Sequence, residues 1–321
     1  MLVVLDDIIF SRQSNGGISV YWREITRSIR SNVNFRIETT SSNKSLFFDV
    51  STKLSGPHVF HSSYFRTTNN KYAINILTVH DCIHKKRINP RNLIFHVFLR
   101  NKLKKSDVVI CVSETTKNDL YRYYRKSLPK RVKVIYNGVD VDFKDLKLKR
   151  EKLVLFIGDR SWYKNFAYSI RISKLLGYPL VIVGKPLNKK EMKLIETLGI
   201  KYSISTNVTT VELINLYNTV SFLVYCSDFE GFGIPLIEAA RCKCPVITLD
   251  KPFVREVLGE YTIRVSEDSL QAVSNYINDE KLIKQLIRGA YTRSLNYDWT
   301  SSSKELMSVY EESLRINKNN Q

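Results

Sequence analysis

The stretch Phe222–Asp250 reads FLVYCSDFEGFGIPLIEAARCKCPVITLD, and two of its glutamates, Glu230 and Glu238, stand with seven residues between them. The apolar run Phe222 to Tyr225 predicts a buried strand. Glu230 to Gly233 predicts a turn whose glycines let backbone approach a ligand, and Pro235 the first residue of a helix. Glu230 then lies on the loop at the carboxyl end of a strand, and Glu238 in the first turns of the helix. Open α/β sheets bind nucleotides in the crevice beyond the carboxyl ends of parallel strands, and the unpaired amides of a helix start attract phosphate. Taken alone, Glu238 fits equally well as an acidic residue near the positive end of a helix dipole.

Working outward, short apolar strands alternate with helical stretches along the chain. Strands are expected at 2–5, 59–61, 73–79, 108–112 and 132–135, with helices at 18–30, 92–105 and 114–125. A charged segment from Asp142 to Lys152 follows, then strands at 153–157, 180–183, 202–204, 221–225 and 246–248 among helices at 165–176, 188–198, 210–217 and 235–241. Such alternation predicts parallel sheets wrapped by helices. The 321 residues suffice for two domains with full cores.

The motifs around the opening stretch recur in a familiar order. They are Gly16-Gly17-Ile18 before a helix, Thr78-Val79-His80-Asp81, Ser106 to Ser113, Val134 to Asp140, Gly158-Asp159-Arg160, Tyr163-Lys164-Asn165, and EGFGIPLIEA itself. Together they resemble the retaining glycosyltransferases of family 4 (glycosyl transferase group 1). The resemblance implies an α/β protein of GT-B fold, two Rossmann-like doubly wound domains facing a cleft. It implies an acceptor-binding domain over 1–148, a nucleotide-sugar domain over 149–301, and a terminal helix over about 302–321 packing back on the first. It also assigns roles. Arg160 and Lys164 would neutralise the diphosphate of a UDP- or GDP-sugar, Glu230 would face the sugar, and Glu238 would accept from the ribose hydroxyls. Gly231, Phe232, Gly233 and Ile234 would bring amides to sugar or phosphate, and Gly16 and Gly17 would approach the phosphates from the other domain. His80 would lie beside the donor sugar, with Asp81 orienting substrate hydroxyls. No metal or other cofactor is expected. The chain departs from the family in lacking a proline before Ser227 and in carrying Lys243 where glycine is usual.

Arg160 and Lys164 can also be read without the family. Both precede a helix start, where the dipole disfavours cations, so an anion between them makes better sense of them. Asp140-Val141-Asp142 spells a metal-binding D-x-D, but it sits in the turn after Asn137-Gly138 and is read as a turn. Asp6-Asp7 is read as a strand end, and His58, His61, His84 and His96 as structural.

The formal charge is +19, and from Lys85 to Arg150 there are 19 Lys or Arg against 6 Asp or Glu. A basic patch of this kind attracts nucleic acid or anionic lipid, or is simply a solvated face. The run Leu93 to Leu99, leading into Arg100, Lys102, Lys104 and Lys105, suits an interfacial helix or a core helix with a charged end. Five cysteines lack zinc-ligand spacing and are expected as reduced thiols. With no signal pattern or membrane span in view, the expected location is the cytoplasm, peripheral on the inner face of the membrane. The expected reaction is hexosyl transfer to a lipid-linked oligosaccharide or lipopolysaccharide in bacterial surface polysaccharide synthesis, with no nucleic-acid partner. The rival readings are a sugar-nucleotide epimerase or phosphorylase of the same fold, and a basic nucleic-acid-binding protein. No motif supplies the lysine a phosphorylase needs, and no nucleic-acid-binding module is recognisable.

Overall fold

The computed structural model describes residues 1–13, 16–40, 49–87, 89–266, 270 and 272–319. The chain forms two compact units, Met1–Gly138 with Asp298–Gln321 and Val139–Tyr297. Unit 1 is built from strands β1 (Leu2–Asp6), β2 (Arg36–Thr40), β3 (His58–Ser62), β4 (Ala73–Val79), β5 (Val108–Cys111) and β6 (Arg131–Val134), with helices α1 (Gly17–Arg30), α2 (Pro90–Lys105) and α3 (Glu114–Tyr124). The strands make one parallel sheet in the order β2-β1-β3-β4-β5-β6. Nearly every residue of β3 and β4 is buried, which is why β4 reads as a mostly apolar run rather than an alternating one. Helix α1 turns Tyr21, Trp22, Ile25 and Ile29 inward, one stripe of a 3.6-residue period. Helix α2 starts where the sequence punctuates it: the Asn89 side chain accepts from Asn92 N–H, and Pro90 follows at the first helical position.

Unit 2 contains β7 (Glu151–Ile157), α4 (Phe166–Leu176), β8 (Leu180–Val183), α5 (Lys189–Thr197), β9 (Tyr202–Ser205), α6 (Thr210–Thr219), β10 (Val220–Tyr225), α7 (Ile234–Arg241), β11 (Val246–Leu249), α8 (Pro252–Leu258), β12 (Ile263–Val265), α9 (Ala272–Asn278) and α10 (Glu280–Ser294). Its sheet is parallel in the order β12-β11-β10-β7-β8-β9, around a core that includes Val154, Ile170, Leu180, Ile182, Val224 and Ile247. Helix α11 (Trp299–Asn319) returns to unit 1. There Tyr310 O–H meets His61 Nδ1 at 2.6 Å and Arg131 donates to Ser313 at 3.0 Å.

The α/β class and both doubly wound sheets agree with the alternation read from the sequence. Several local expectations differ. Strand β2 was not expected, because RIETT is a polar edge strand with little apolar signal. Helix α7 begins at Ile234 rather than Pro235, and α11 begins at Trp299 because the Asp298 carboxylate caps Ser301 N–H at 2.8 Å. The polar composition of the last six residues predicts fraying, and two of them, 320–321, lie outside the described residues.

The units divide after Gly138, not after 148. Residues 144–150 belong to unit 2 because they are tied to it: Leu146 N–H and Lys144 C=O both bond the Asn218 side chain, and Arg150 donates to Tyr217, Val220 and Cys242 carbonyls. Gly138 is irreplaceable for a steric reason. A Cβ there would lie 2.3 Å from Trp299 N and 2.4 Å from the Asp298 carbonyl carbon.

Candidate functional site

In unit 2 the strand order reverses between β7 and β10, and the loops leaving their carboxyl ends carry Arg160, Lys164 and Glu230. This is the topological switch point at which doubly wound sheets bind ligands. The two loops are laced together. Asp228 N–H donates to Tyr163 C=O at 2.7 Å, and the Asn165 amide donates to Cys226 C=O at 3.0 Å and to the Asp228 carboxylate at 2.8 Å. Asn165 is left-handed, with φ of 49°, which ends the 3-10 turn Trp162–Lys164 and starts α4.

Lys164 Nζ lies 2.5 Å from Glu230 Oε1, 3.4 Å from Tyr225 O–H and 5.2 Å from the centre of the Tyr225 ring. Arg160 has its own carboxylate, with Nε 2.9 Å from Glu191 Oε2, and it also donates to Pro186 C=O at 2.5 Å. The structure therefore brings Lys164 and Glu230 together and gives Arg160 a different anchor on α5. The two cations share backbone terrain. A Cβ on Gly158 would be 3.9 Å from Lys164 Cε, and one on Gly184 would be 3.6 Å from Arg160 Nη1 and 2.5 Å from Gly158 O.

Gly231, Phe232 and Gly233 form the buried turn into α7, and Ile234 opens it. Gly233 has φ of 90°, and a Cβ there would crowd Leu236 at 3.0 Å and the Tyr225 ring at 3.5 Å. Pro235 supplies no N–H, and Leu236 N–H bonds back to Gly233 C=O at 2.9 Å, so the donors this helix start offers lie upstream of Pro235. Glu238 accepts from Tyr217 O–H at 2.8 Å, and desolvation raises its carboxyl to about 7, the Tyr217 bond opposing that rise.

In unit 1, Gly16 caps α1 with φ of 152° and Gly17 opens the helix with free space where a Cβ would go. His80 follows β4. Burial lowers it to about 3, so it is a neutral imidazole, set edge-on to the Tyr21 ring at 4.9 Å. Asp81 accepts from Ile83 N–H at 3.0 Å, an Asx turn that leads into the turn 83–85. The histidines read as structural are bonded internally: His61 holds Tyr310 and Thr78, and His84 and His96 both reach Tyr124 O–H. Asp140 accepts from Asp142 N–H at 3.1 Å, an Asx turn. Among the described residues no group of three His, Cys, Asp or Glu is arranged to hold a metal ion, and all five cysteines are buried and unpaired.

Reading the sequence missed several participants. Asp6 is no mere strand end. It is fully buried beside Ser62 at 2.7 Å and Arg66 at 3.4 Å, and burial raises it to about 6. Tyr217, Tyr225 and Glu191 hold Glu238, Lys164 and Arg160, and nothing in their local sequence marks them. Trp162, between the two cations in sequence, is 45% exposed and lies 5.7 Å from the Phe229 ring.

Residues 139–293 match the family model of glycosyl transferases group 1, and residues 52–143 that of glycosyltransferase family 4. The chain is 29% identical over 245 residues to the N-acetylgalactosamine-N,N'-diacetylbacillosaminyl-diphospho-undecaprenol 4-alpha-N-acetylgalactosaminyltransferase of Campylobacter jejuni, covering 71% of this chain and 66% of that one. It is 33% identical over 232 residues to the O-antigen chain mannosyltransferase RfbU of Salmonella typhimurium, covering 69% and 64%. The match thus spans just under two thirds of the length of these relatives. The solved structure of sucrose-phosphate synthase from Thermosynechococcus elongatus superposes with a TM-score of 0.77 at 14% identity, over 98% of this chain and all of that one. Two family models that together run from 52 to 293, and a fold shared from end to end, place this chain in glycosyltransferase family 4, with the GT-B fold.

Proposed function

We propose that the chain transfers a hexosyl group, with retention of anomeric configuration, from a UDP- or GDP-sugar to a membrane-associated glycan acceptor in bacterial surface polysaccharide synthesis. The observation that carries this reading is the switch point of unit 2, where Lys164 and Glu230 face each other beside the helix that bears Glu238. Lys164, with Arg160 and the upstream amides of the 231–234 turn, is assigned to the diphosphate, whose charge grows as the bond to the sugar breaks. Glu230 is assigned to the sugar hydroxyls and Glu238 to the ribose. Gly16 and Gly17 are assigned to the phosphates as well. As the anomeric C–O bond to the diphosphate breaks, the acceptor oxygen forms its bond on the same face, and its proton passes to the departing phosphate oxygen. His80, held neutral, orients a sugar hydroxyl rather than carrying charge, and Asp81 assists it. The positive charge for the diphosphate comes from protein groups, without a metal.

The Campylobacter and Salmonella relatives, named for a diphospho-undecaprenol and an O-antigen chain, support an acceptor of that kind. Helix α2 supports a membrane surface. Leu93 and Ile94 are each 63% exposed and Val97 is 51% exposed, on one face that Arg100 and Lys104 continue. An apolar face flanked by exposed cations suits the cytoplasmic leaflet better than nucleic acid. No helix among the described residues is long and apolar enough to cross a membrane.

Calorimetric titration with UDP, GDP and ADP, followed by a nucleotide-sugar panel on a polyprenyl-diphosphate glycan with the product anomer read by NMR, tests the proposal. Binding of one nucleoside diphosphate and a product of unchanged configuration are expected. Failure of both UDP and GDP to bind overturns it, whether or not ADP binds.

A further inference from the structure

Tyr217 O–H is 2.8 Å from Glu238 Oε2, and the ring that carries it is wholly buried in α6. That ring is fixed from two sides. The Phe143 ring packs edge-on at 6.1 Å, and the Tyr217 carbonyl accepts from Arg150 Nη1 at 2.9 Å. The same guanidinium donates to Val220 C=O at 2.7 Å and to Cys242 C=O at 2.9 Å. Arg150 therefore ties the end of α6, the start of β10 and the end of α7 to one point, and α6 and α7 are the helices that carry Tyr217 and Glu238. A carboxylate can only accept, so the phenol is the donor of their bond. With Oε2 held in this way the carboxyl group cannot rotate freely, and Oε1 is left to meet a ligand.

We propose that Tyr217 is a positioning residue for nucleotide recognition: its hydroxyl sets the rotation of the Glu238 carboxylate so that the carboxylate accepts from a ribose diol. The inference rests on the assignment of Glu238 to the ribose made above. Burial pushes up the phenols of Tyr217 and Tyr225 and the Cys242 thiol, the other acidic groups that face Glu238 from α6, β10 and the end of α7. Near neutral pH, Glu238 is therefore the member of this cluster that changes charge, and Tyr217 favours its charged form.

The test is calorimetry on the full chain and on Tyr217→Phe, using whichever of UDP and GDP the wild type binds and its 2′-deoxy counterpart, from pH 6 to 9. The wild type is expected to prefer the ribonucleotide by about tenfold, the worth of one charge-assisted hydrogen bond. Tyr217→Phe is expected to lose most of that preference, and the pH at which affinity falls off on acidification should move upward. A structural role alone would lower the melting temperature and leave both readouts in place, and that result overturns the proposal. Arg150→Lys keeps the hydroxyl but loosens its clamp, and serves if Tyr217→Phe does not fold. The ribose preference should fall in that variant too, and an unchanged preference there also counts against the proposal. If the wild type binds neither UDP nor GDP, the donor-site reading itself fails and this inference goes with it.

Discussion

Lys164 and Glu230 form an ion pair at the switch point of unit 2, with Tyr225 beneath both. A diphosphate brought to Lys164 must compete with Glu230 for the same ammonium. Glu230→Gln is therefore expected to bind UDP or GDP about threefold to tenfold more tightly, roughly 1 kcal/mol, while transferring sugar more slowly. Calorimetry and initial rates on the same preparation check this, and weaker nucleotide binding would show that Glu230 helps hold the diphosphate rather than guarding Lys164.

Under the proposed assignment to the ribose, Glu238 trades stability for recognition. Its carboxyl is raised by burial to about 7, so a proton bound in the folded chain stabilises it below the ordinary carboxylate range. That contribution is lost as pH rises through about 7. Glu238→Gln is expected to melt higher than wild type at pH 8 without nucleotide, by on the order of 1–3 kcal/mol, with the difference shrinking toward pH 4.5. The same variant should bind nucleoside diphosphate at least tenfold more weakly.

Asp6 and Arg66 are both fully buried, with 3.4 Å between carboxylate and guanidinium. Removing one member of such a pair takes an ionic partner away from a buried charge. Asp6→Asn is expected to destabilise unit 1 by about 3–5 kcal/mol, read as a lower urea midpoint. A change under 1 kcal/mol would mean that Arg66 is satisfied without it.

The face of α2 formed by Leu93, Ile94 and Val97 is open to solvent, so replacing all three by serine should leave the melting temperature nearly unchanged. Co-sedimentation with vesicles containing phosphatidylglycerol should drop severalfold, and wild-type binding should weaken as salt is raised. Equal binding by the variant, or equal binding to neutral vesicles, would remove α2 from the account.

Much of the fold was legible because its signals are local. The run LVLFI at 153–157 is apolar throughout, and AINILTV at 73–79 is so except for Asn75 and Thr78, since both faces of a parallel sheet are covered. The Glu230–Glu238 segment was legible for the same reason, with strand, turn and helix lying in one stretch. What could not be read is made by distant partners. Asp6 and Arg66 are sixty residues apart in sequence, and Tyr217 meets Glu238 only because α6 and α7 flank one strand. The basic surplus was also over-read. Lys102, counted with the charged tail of α2, is buried and pairs with Asp49 at 2.5 Å, and Lys105 shares that carboxylate at 2.6 Å.

The contact between Gly138 and the Asp298–Trp299 backbone makes the two exits from unit 1 near neighbours. Unit 2 is thus an insertion whose ends close on themselves, and unit 1 is one continuous body interrupted at a single point. Such an arrangement suits exchange of the inserted unit as a cassette: a different insert needs only matching ends, and the strands and terminal helix of unit 1 need not be respaced to receive it.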